Sequence, residues 1–403
     1  MNAKPNWLGK TLELNIEKVA HGGIFVARHE GRVVFVSHVL PGERVKARVF
    51  EDRGGSFCRA EPVEILEASA DRVPQVWKDA GVGKAGGCEF GHIKLSRQRE
   101  LKAEVITEAL QRMASVDMKV TVEPAPCDDE SNGLGYRTRV QLHVDAAGTV
   151  GPFRERSHDV VKVKTLPLAV EDIQELEFQN KNYQSVENIE IAASSTGQVQ
   201  WKIDGKLKGD ERLIERVSGR TFRISGGGFW QVHRAAPQVL TSTVIEMVAA
   251  AGLDKKADNL DLYGGVGLFA STLAGKFGND LRITSVESFR QATEDATLNL
   301  SDLPNATAVC APVERFLNEK AGQGAKPTAT VVLDPPRAGA GAKVIDRLLT
   351  ISPAHIVYVA CDPIALARDL KQLLAGGYKI ASLRAFDLFA HTHHVETIVS
   401  LVK

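Results

Sequence analysis

The second half of the sequence alternates between apolar runs and helix-like stretches, and this alternation constrains the fold more than any other feature. The apolar runs are DNLDLY, LRITSVE, TATVVLD and HIVYVAC, and the helix-like stretches include LFASTLAGKF, SFRQATEDATLNL and PIALARDLKQLLAGG. Strands rich in Val, Ile and Leu that alternate with helices are typical of a parallel sheet covered on both faces. The sequence therefore predicts an α/β fold with a doubly wound parallel sheet from about residue 220 onwards.

Residues 9–67 have a different pattern, in which short β-rich runs are separated by Gly and Pro-Gly turns. The five runs are TLELNIEKV, GGIFVARHEG, RVVFVSHVL, RVKARVFEDRG and FCRAEPVEIL. Five short strands at this spacing predict a small OB-like barrel. A generic β-barrel with no particular function explains the pattern equally well.

Between these two parts lies a region of mixed character. Residues 94–114 have apolar side chains at helical spacing and predict an amphipathic helix. Residues 117–205 are mostly β-like and carry a run of cations with two aromatic residues interleaved, a combination that binds single-stranded RNA. A solvated strand face explains the cations nearly as well. The residues in question are Arg137, Arg139, Arg154, Arg156, Lys162 and Lys164, with Tyr136 and Phe153.

Charge and cysteine usage narrow the class of protein. Lys and Arg total 50, as do Asp and Glu, so the chain is not a strongly basic nucleic-acid binder and any RNA contact must come from local patches. Five scattered cysteines argue against a disulfide framework and favour a reducing, cytoplasmic location. We expect no signal peptide, no membrane-spanning segment and no obligate protein partner.

A glycine-rich turn follows the first strand of the α/β region, in DLYGGVGLFA at positions 261–270. Glycines allow close approach of the backbone to a ligand, and Glu287, at the end of the next strand, is placed to bind ribose hydroxyls. The turn lacks the GxGxxG dinucleotide pattern, which favours another nucleoside-bearing cofactor such as S-adenosylmethionine. A plain tight turn is the alternative.

Two further strands of the predicted sheet end in reactive residues. Asp334 closes a strand in VVLDPPRAG, where two prolines hold the chain extended beyond the sheet edge. Cys361 closes the next strand, just before a predicted helix whose N-terminus would favour the thiolate. A proline-rich loop and an inert core cysteine are the respective alternatives, and Asp-Pro-Pro also occurs in methyltransferases that act on base amino groups.

The C-terminal stretch FAHTHHVETIVSLVK places a polar cluster before a last strand. The cluster comprises His391, Thr392, His393 and His394. Its three histidines suggest a metal site, but no further ligands stand at suitable spacing. A general base beside the pocket is the favoured interpretation, with Glu396 near the start of the strand.

A thiol, a carboxylate and a methyl donor together suit one reaction. C5 of uracil is a poor nucleophile, and addition of a thiolate to C6 raises the electron density at C5 so that it can accept a methyl group. A general base must then remove the C5 proton. Methylation of a base amino group needs neither the thiol nor a general base for C5.

These motifs resemble those of the RNA 5-methyluridine (uracil-C5) methyltransferase family over nearly the whole chain. The resemblance implies an RNA-binding TRAM domain in residues 1–69, a central RNA-binding domain in 70–215, and a class I (Rossmann-like) methyltransferase domain in 216–403, with helix 94–114 packed on the last. It implies that Cys361 is the nucleophile and Glu396 the general base. It also implies that S-adenosyl-L-methionine is bound by Gln231, Tyr263, Glu287 and Asp334.

The sequence departs from the family pattern at several positions. Gly264 stands for a usual Cys, Leu268 and His233 for usual Asn residues, and Ala390 for a usual Pro. In iron–sulfur members, cysteines occupy the positions of Ala85 and Leu166, and here only Cys88 remains of the recognised set. One cysteine cannot hold a cubane cluster, so we expect no iron–sulfur centre and no metal.

The resemblance also bears on the substrate. The target uridine would have to be flipped out of folded RNA into the pocket. Because relatives that act on transfer RNA typically lack a TRAM domain, its presence favours 23S ribosomal RNA. The alternatives are a tRNA uracil-C5 methyltransferase, a methyltransferase for a base amino group, and a catalytically silent RNA-binding homologue.

Overall fold

The computed structural model describes residues 6–322 and 328–403. The N-terminal part is a closed five-stranded barrel in the order β1-β2-β3-β5-β4. Alternate residues of β1 point inward, so Leu12, Leu14 and Ile16 fill its interior with Val34 and Val45. The predicted OB-like barrel is therefore confirmed. Its strands are β1 (Thr11–Ala20), β2 (Ile24–His29), β3 (Arg32–Val36), β4 (Arg44–Glu51) and β5 (Phe57–Glu67).

The helix predicted for residues 94–114 comprises α1 (Leu95–Ala109) and a π-helical turn (Leu110–Ala114). Ile106, Ala109 and Leu110 belong to the same apolar core as Leu366 and Leu370, which lie in the C-terminal part of the chain. The helix thus packs on the C-terminal α/β part, although it precedes the central region in sequence.

The central region contains a five-stranded sheet in the order β11-β10-β9-β7-β8 and a hairpin of β12 and β13. The short strand β6 (Val122–Pro124) precedes it, but it pairs with a strand near the C-terminus and not with this sheet. The elements are β7 (Arg139–Val144), β8 (Val150–Gly151), α2 (Glu171–Gln174), β9 (Asn188–Ala193), β10 (Val199–Ile203), β11 (Lys206–Gly209), β12 (Arg212–Val217) and β13 (Arg220–Ser225).

The C-terminal part is an eight-stranded sheet in the order β16-β15-β14-β17-β18-β20-β19-β6, with helices on both faces. The strands from β16 to β18 are parallel, and β20 runs antiparallel to both of its neighbours. The predicted α/β class is confirmed. Its elements are α3 (Ala236–Ala251), β14 (Asp258–Leu262), α4 (Leu268–Phe277), β15 (Ile283–Glu287), α5 (Arg290–Asn299), β16 (Ala306–Cys310), α6 (Val313–Gly322), β17 (Thr328–Leu333), α7 (Ala342–Ile351), β18 (His355–Ala360), α8 (Pro363–Ala375), β19 (Lys379–Asp387) and β20 (Glu396–Val402).

The structure departs from the predicted domain limits in two places. Strand β6 falls in the predicted central domain, yet it extends the catalytic sheet, where Arg384 of β19 binds Glu123 at 2.8 Å. Strand β12 runs across the predicted boundary at residue 215. It is paired along its whole length with β13, so the two strands form one unit. Among the described residues no helix is long and apolar enough to cross a membrane.

Candidate active site

The carboxyl ends of the parallel strands bring the predicted site residues to one edge of the sheet. Tyr263 follows β14, Asp334 follows β17 and Cys361 follows β18, and these three strands are direct neighbours. Glu287 is the last residue of β15, on the other side of β14. Ligand sites of open α/β sheets lie at this edge, so the strand-end positions form one crevice.

Glu396 reaches the same place from the opposite direction. It begins β20, and Ala360 of β18 pairs with Thr397, which places Cys361 across from Glu396. Asp334 accepts a hydrogen bond from the side chain of Gln231. Cys361, Glu396, Asp334 and Gln231 are therefore held together by three strands and the loop before α3.

The two carboxyl groups are hard to ionise together. Burial, reinforced by the negative charge of Asp334, raises the pKa of Glu396 well above its usual value. Burial and the neighbouring Asp261 likewise raise the pKa of Asp334, against the hydrogen bond from Gln231. A carboxyl group with a raised pKa is suited to exchange protons near neutral pH.

The thiol of Cys361 is protonated at neutral pH, contrary to the expectation that the helix N-terminus would favour the thiolate. Burial, followed by the charges of Glu396 and Asp334, raises the pKa of Cys361 to about 12, and Arg337 opposes this only in part. The N-terminal end of α8 does not outweigh burial beside two carboxyl groups. The thiol therefore has to pass its proton to an acceptor before it can attack.

The glycine turn and Glu287 form a cradle beside these residues. One oxygen of the Glu287 carboxylate accepts from the Gly265 backbone N–H at 3.2 Å and the other from Phe289 at 2.7 Å. Gly265 has a φ of 55°, and a side chain there would meet nothing within 4 Å, so the turn faces open space. Such a turn, beside an acidic residue at the next strand end, fits a nucleoside-bearing ligand.

Asp261 lies beneath this turn with one unused acceptor. Its Oδ2 accepts from the Ala270 backbone N–H at 3.0 Å and from the Ser285 hydroxyl at 3.3 Å, whereas Oδ1 has no hydrogen-bond partner in the described part of the chain. Burial raises the pKa of Asp261 to about 7. An orphaned buried oxygen at this position is consistent with a ligand that supplies donors from above the turn.

The four departures from the family pattern each have a structural setting. Leu268 packs in an apolar cluster with Phe222 and Trp230. His233 is buried, lies 3.1 Å from Asp128 and stacks on Tyr136 at a centroid distance of 4.9 Å. The carbonyl of Ala390 accepts a hydrogen bond from the Tyr136 hydroxyl. Gly264 has no room for a side chain, because a Cβ there would lie 2.0 Å from Ser285 Oγ.

The histidine cluster before β20 serves as an anchor. The ring of His391 bonds Gln98 at 3.1 Å and the Asn132 carbonyl at 2.8 Å, and the ring of His393 bonds Glu89. Among residues 6–322 and 328–403, no group of three or more possible ligands is arranged to hold a metal ion. The histidines hold the loop that leads to Glu396.

The positions of the family's cluster cysteines are packed as an apolar core. Ala85, Cys88 and Leu166 are all buried in one apolar cluster. Burial raises the pKa of Cys88 to about 12, which disfavours the thiolate that iron would need. These side chains do not fit an iron–sulfur cluster.

The predicted run of cations is divided between two environments. Arg154, Arg156, Lys162 and Lys164 are exposed, whereas Arg137 and Arg139 are half-buried, and Nε and Nη2 of Arg139 have no hydrogen-bond partner in the described ranges. Tyr136 is buried and bonded to Ala390, so its predicted role as a face for RNA is wrong.

Two residues with a functional setting were not identified from the sequence. Phe229, two positions before Gln231, is a large aromatic side chain that is 69% exposed; the preceding glycines were the available signal. His21, in the turn between β1 and β2, lies 2.8 Å from Asp362, the residue after Cys361. No local pattern indicates a contact between residues so far apart in sequence.

Comparisons with known proteins agree with this arrangement. Family models match residues 6–63 as a TRAM domain and residues 323–403 as tRNA (uracil-5-)-methyltransferase. A protein of Streptomyces avermitilis named as an uncharacterized RNA methyltransferase is 40% identical, with 98% of each chain covered. Another, of Bifidobacterium longum, is 37% identical with the same coverage.

Among solved structures, the tRNA (uracil-54, C5)-methyltransferase of Pyrococcus abyssi, in complex with S-adenosyl-L-homocysteine, is similar to this chain with a TM-score of 0.73. It shares 22% sequence identity, and the match covers 96% of this chain and 99% of that one. The likeness therefore extends to the arrangement of barrel, central region and sheet.

Proposed function

This chain belongs to the S-adenosylmethionine-dependent RNA uracil-C5 methyltransferase family, and from that premise we propose that it methylates C5 of one uridine in 23S ribosomal RNA through a covalent bond between Cys361 and C6. The observation that carries the proposal is the pairing of β18 with β20, which sets Cys361 across from Glu396 at the crevice edge.

The reaction begins with proton transfer from the thiol. Because the pKa of Cys361 is raised to about 12 and its side chain is partly exposed, the thiol proton passes to solvent, and the Glu396 carboxylate stays free for the later proton removal. As the proton leaves, Sγ adds to C6 of the uracil and the C5=C6 electron pair moves into an enolate. C5 thereby becomes nucleophilic.

S-adenosyl-L-methionine, when bound, would supply the methyl group that C5 accepts, and S-adenosyl-L-homocysteine would be the leaving group. The ring then carries both the methyl group and the original hydrogen at C5. A carboxylate at Glu396 removes that hydrogen as a proton, the C5=C6 bond re-forms, and the C6–S bond breaks to release Cys361 as a thiolate.

We assign donor binding to Gln231, Tyr263, Glu287 and Asp334. Glu287 is placed for ribose hydroxyls at the end of β15, and Gln231 and Asp334 already bond one another beside the crevice. The exposed ring of Phe229 is suited to stacking on an unstacked base of the RNA.

A tRNA uracil-C5 methyltransferase is the second candidate. The Pyrococcus abyssi neighbour is named as a tRNA enzyme, and its match covers 96% of this chain, so an N-terminal barrel does not by itself distinguish the two substrates. A cytoplasmic location is part of the proposal, since the five cysteines are free thiols, as in a reducing compartment.

The test is adduct formation with RNA that contains 5-fluorouridine, in the presence of S-adenosylmethionine. A fluorine at C5 cannot be removed as a proton, so a uracil-C5 enzyme should form a denaturation-resistant complex with 23S rRNA fragments and not with tRNA. Cys361→Ala should abolish the complex, and Cys310→Ala, at the end of β16 on the same sheet edge, should not. Adducts only with tRNA would support the second candidate, and no adduct with any RNA would contradict the proposed reaction.

A further inference from the structure

The turn between β1 and β2 of the barrel, residues 20–23, touches both loops that carry the proposed reacting groups. We propose that this turn positions the nucleophile, with His21 as the positioning residue that acts through Asp362. The inference rests on the proposed function, and it gives the barrel a part in the rate of the reaction beyond RNA affinity.

The first contact is a hydrogen bond between His21 and Asp362. His21 Nε2 lies 2.8 Å from Asp362 Oδ2, and the other oxygen of that carboxylate accepts from the Ala365 backbone N–H at 2.8 Å, which caps α8. Asp362 directly follows Cys361. The Asp362 carboxylate thus bonds both the barrel turn and the N-terminus of α8. These two contacts hold the backbone next to Cys361 in place.

The second contact lies on the side of the general base. Gly23 has a φ of 72°, and a Cβ on it would come within 2.9 Å of His393 Cβ. His393 is held by Glu89 through both its ring and its backbone N–H, and it stands three residues before Glu396. One turn of the barrel therefore packs against the supports of both Cys361 and Glu396.

The charges favour the same assignment. The hydrogen bond to Asp362 raises the pKa of His21, which outweighs the opposing effect of burial. Burial would raise the pKa of Asp362, but the hydrogen bonds from His21 and from the backbone N–H groups of Ala365 and Ile364, together with the charge of His21, lower it. The opposite shifts of the two groups favour an ion pair. His21 and Cys361 line the same small cavity, so the pair of His21 and Asp362 lies beside the thiol that it positions.

The experiment compares variants of the full chain in single-turnover adduct formation at saturating 5-fluorouridine RNA, with the RNA dissociation constant measured separately. We expect His21→Ala to slow adduct formation roughly tenfold while RNA affinity stays within about twofold. His21→Gln, whose amide can still donate to Asp362, should recover most of the rate. Lys18→Ala is the matched control, because Lys18, three residues earlier in β1, pairs with Glu108 of α1.

A second pair of variants tests the turn without removing a charge. Gly22 and Gly23 both have positive φ, but a Cβ at Gly22 would meet nothing within 4 Å. Backbone strain should therefore be similar in Gly22→Ala and Gly23→Ala, and only Gly23→Ala should slow the reaction further by pushing on His393. This pair decides the question if His21→Ala does not fold.

Several outcomes would overturn the inference: an unchanged rate in His21→Ala, equal losses in His21→Ala and Lys18→Ala, a loss of RNA affinity alone, or equal effects of the two glycine variants. If the unaltered protein forms no adduct, the proposed function itself fails, and that result is separate from a failure of the positioning role.

Discussion

Gly264 has no room for a side chain because Ser285 occupies the space. A Cβ at this position would lie 2.0 Å from Ser285 Oγ and 2.9 Å from Asp261 Oδ2. The missing cysteine of the family pattern is thus matched by a hydroxyl from the next strand, which bonds Asp261. The packing of Ser285 against the turn therefore accounts for a glycine at position 264.

We predict that Gly264→Ala destabilises the protein by about 1–3 kcal/mol, because it overpacks this site. Donor binding should weaken as well, since Gly264 lies in the turn that faces the ligand. Adding Ser285→Ala removes the colliding atom and should restore most of both losses. Thermal unfolding and calorimetric titration with S-adenosyl-L-homocysteine measure the two effects, with Ser285→Ala alone as the control. Equal losses in the single and double variants would show that the contact is not the cause.

Glu396 should impose a pH dependence on release of the methylated RNA. Burial and Asp334 raise its pKa, so Glu396 is protonated and inactive as a general base below that raised value and ionised above it. Breakdown of the adduct on ordinary RNA should therefore accelerate as pH rises, with a midpoint well above 4.5. Glu396→Gln should retain methylation, trap the adduct and lose this pH limb.

Rapid quenching and denaturing electrophoresis across a pH series give the rate of adduct breakdown. Since the pKa of Asp334 is also raised, its titration remains in Glu396→Gln and separates the two carboxyl groups. A limb that survives unchanged in Glu396→Gln would assign proton removal to another group.

Among the helices and strands, those with a regular apolar period could be predicted from the sequence, as could reactive residues at the ends of parallel strands. Cys361 and Asp334 were found because parallel strands end at a common edge, and the helix at 94–114 because its apolar spacing is regular. Strand β6 could not be predicted from the sequence, because a run of three residues has no period and its partner β19 lies more than 250 residues later.

The protonation of the site could not be predicted in the same way. The pKa of Cys361 depends on burial and on two carboxyl groups, Glu396 and Asp334, that come from other elements. The local sequence around Cys361 reveals only that a helix begins there. The dipole of that helix would lower the pKa of the thiol, whereas burial and the two carboxyl groups raise it. The prediction that Tyr136 offers an aromatic face to RNA was wrong for a related reason. The fold packs Ala390 and His233 against Tyr136 and buries its ring.

For the molecule as a whole, the loop before Glu396 is held by parts of the chain outside the catalytic sheet. His391 bonds Gln98 of α1, His393 bonds Glu89, and Gly23 of the barrel packs on His393. The catalytic edge is therefore complete only when the N-terminal third has docked. Separate expression of residues 216–403 would remove all these contacts.

A buried ion pair joins α1 to the end of β19. Lys102 and Asp387 are 0% and 1% exposed, their charged atoms lie 2.5 Å apart, and Lys102 Nζ also donates to the Phe389 carbonyl at 3.1 Å. A buried charge left without its partner is strongly destabilising, whereas replacement of both charges by apolar groups is often neutral. We therefore expect Lys102→Met to lower the free energy of unfolding by about 3–5 kcal/mol.

Lys102→Met combined with Asp387→Leu should recover most of that stability. Arg112→Ala, which removes an exposed partner of Glu108 on the following π-helical turn, should change it by less than about 1 kcal/mol. Urea unfolding of the three variants measures the differences. Because Asp387 and Phe389 lead into the loop before Glu396, the double variant should regain stability but release methylated RNA more slowly than the unaltered protein. A double variant as unstable as Lys102→Met would show that packing of the lysine stem, and not the unpaired charge, accounts for the loss.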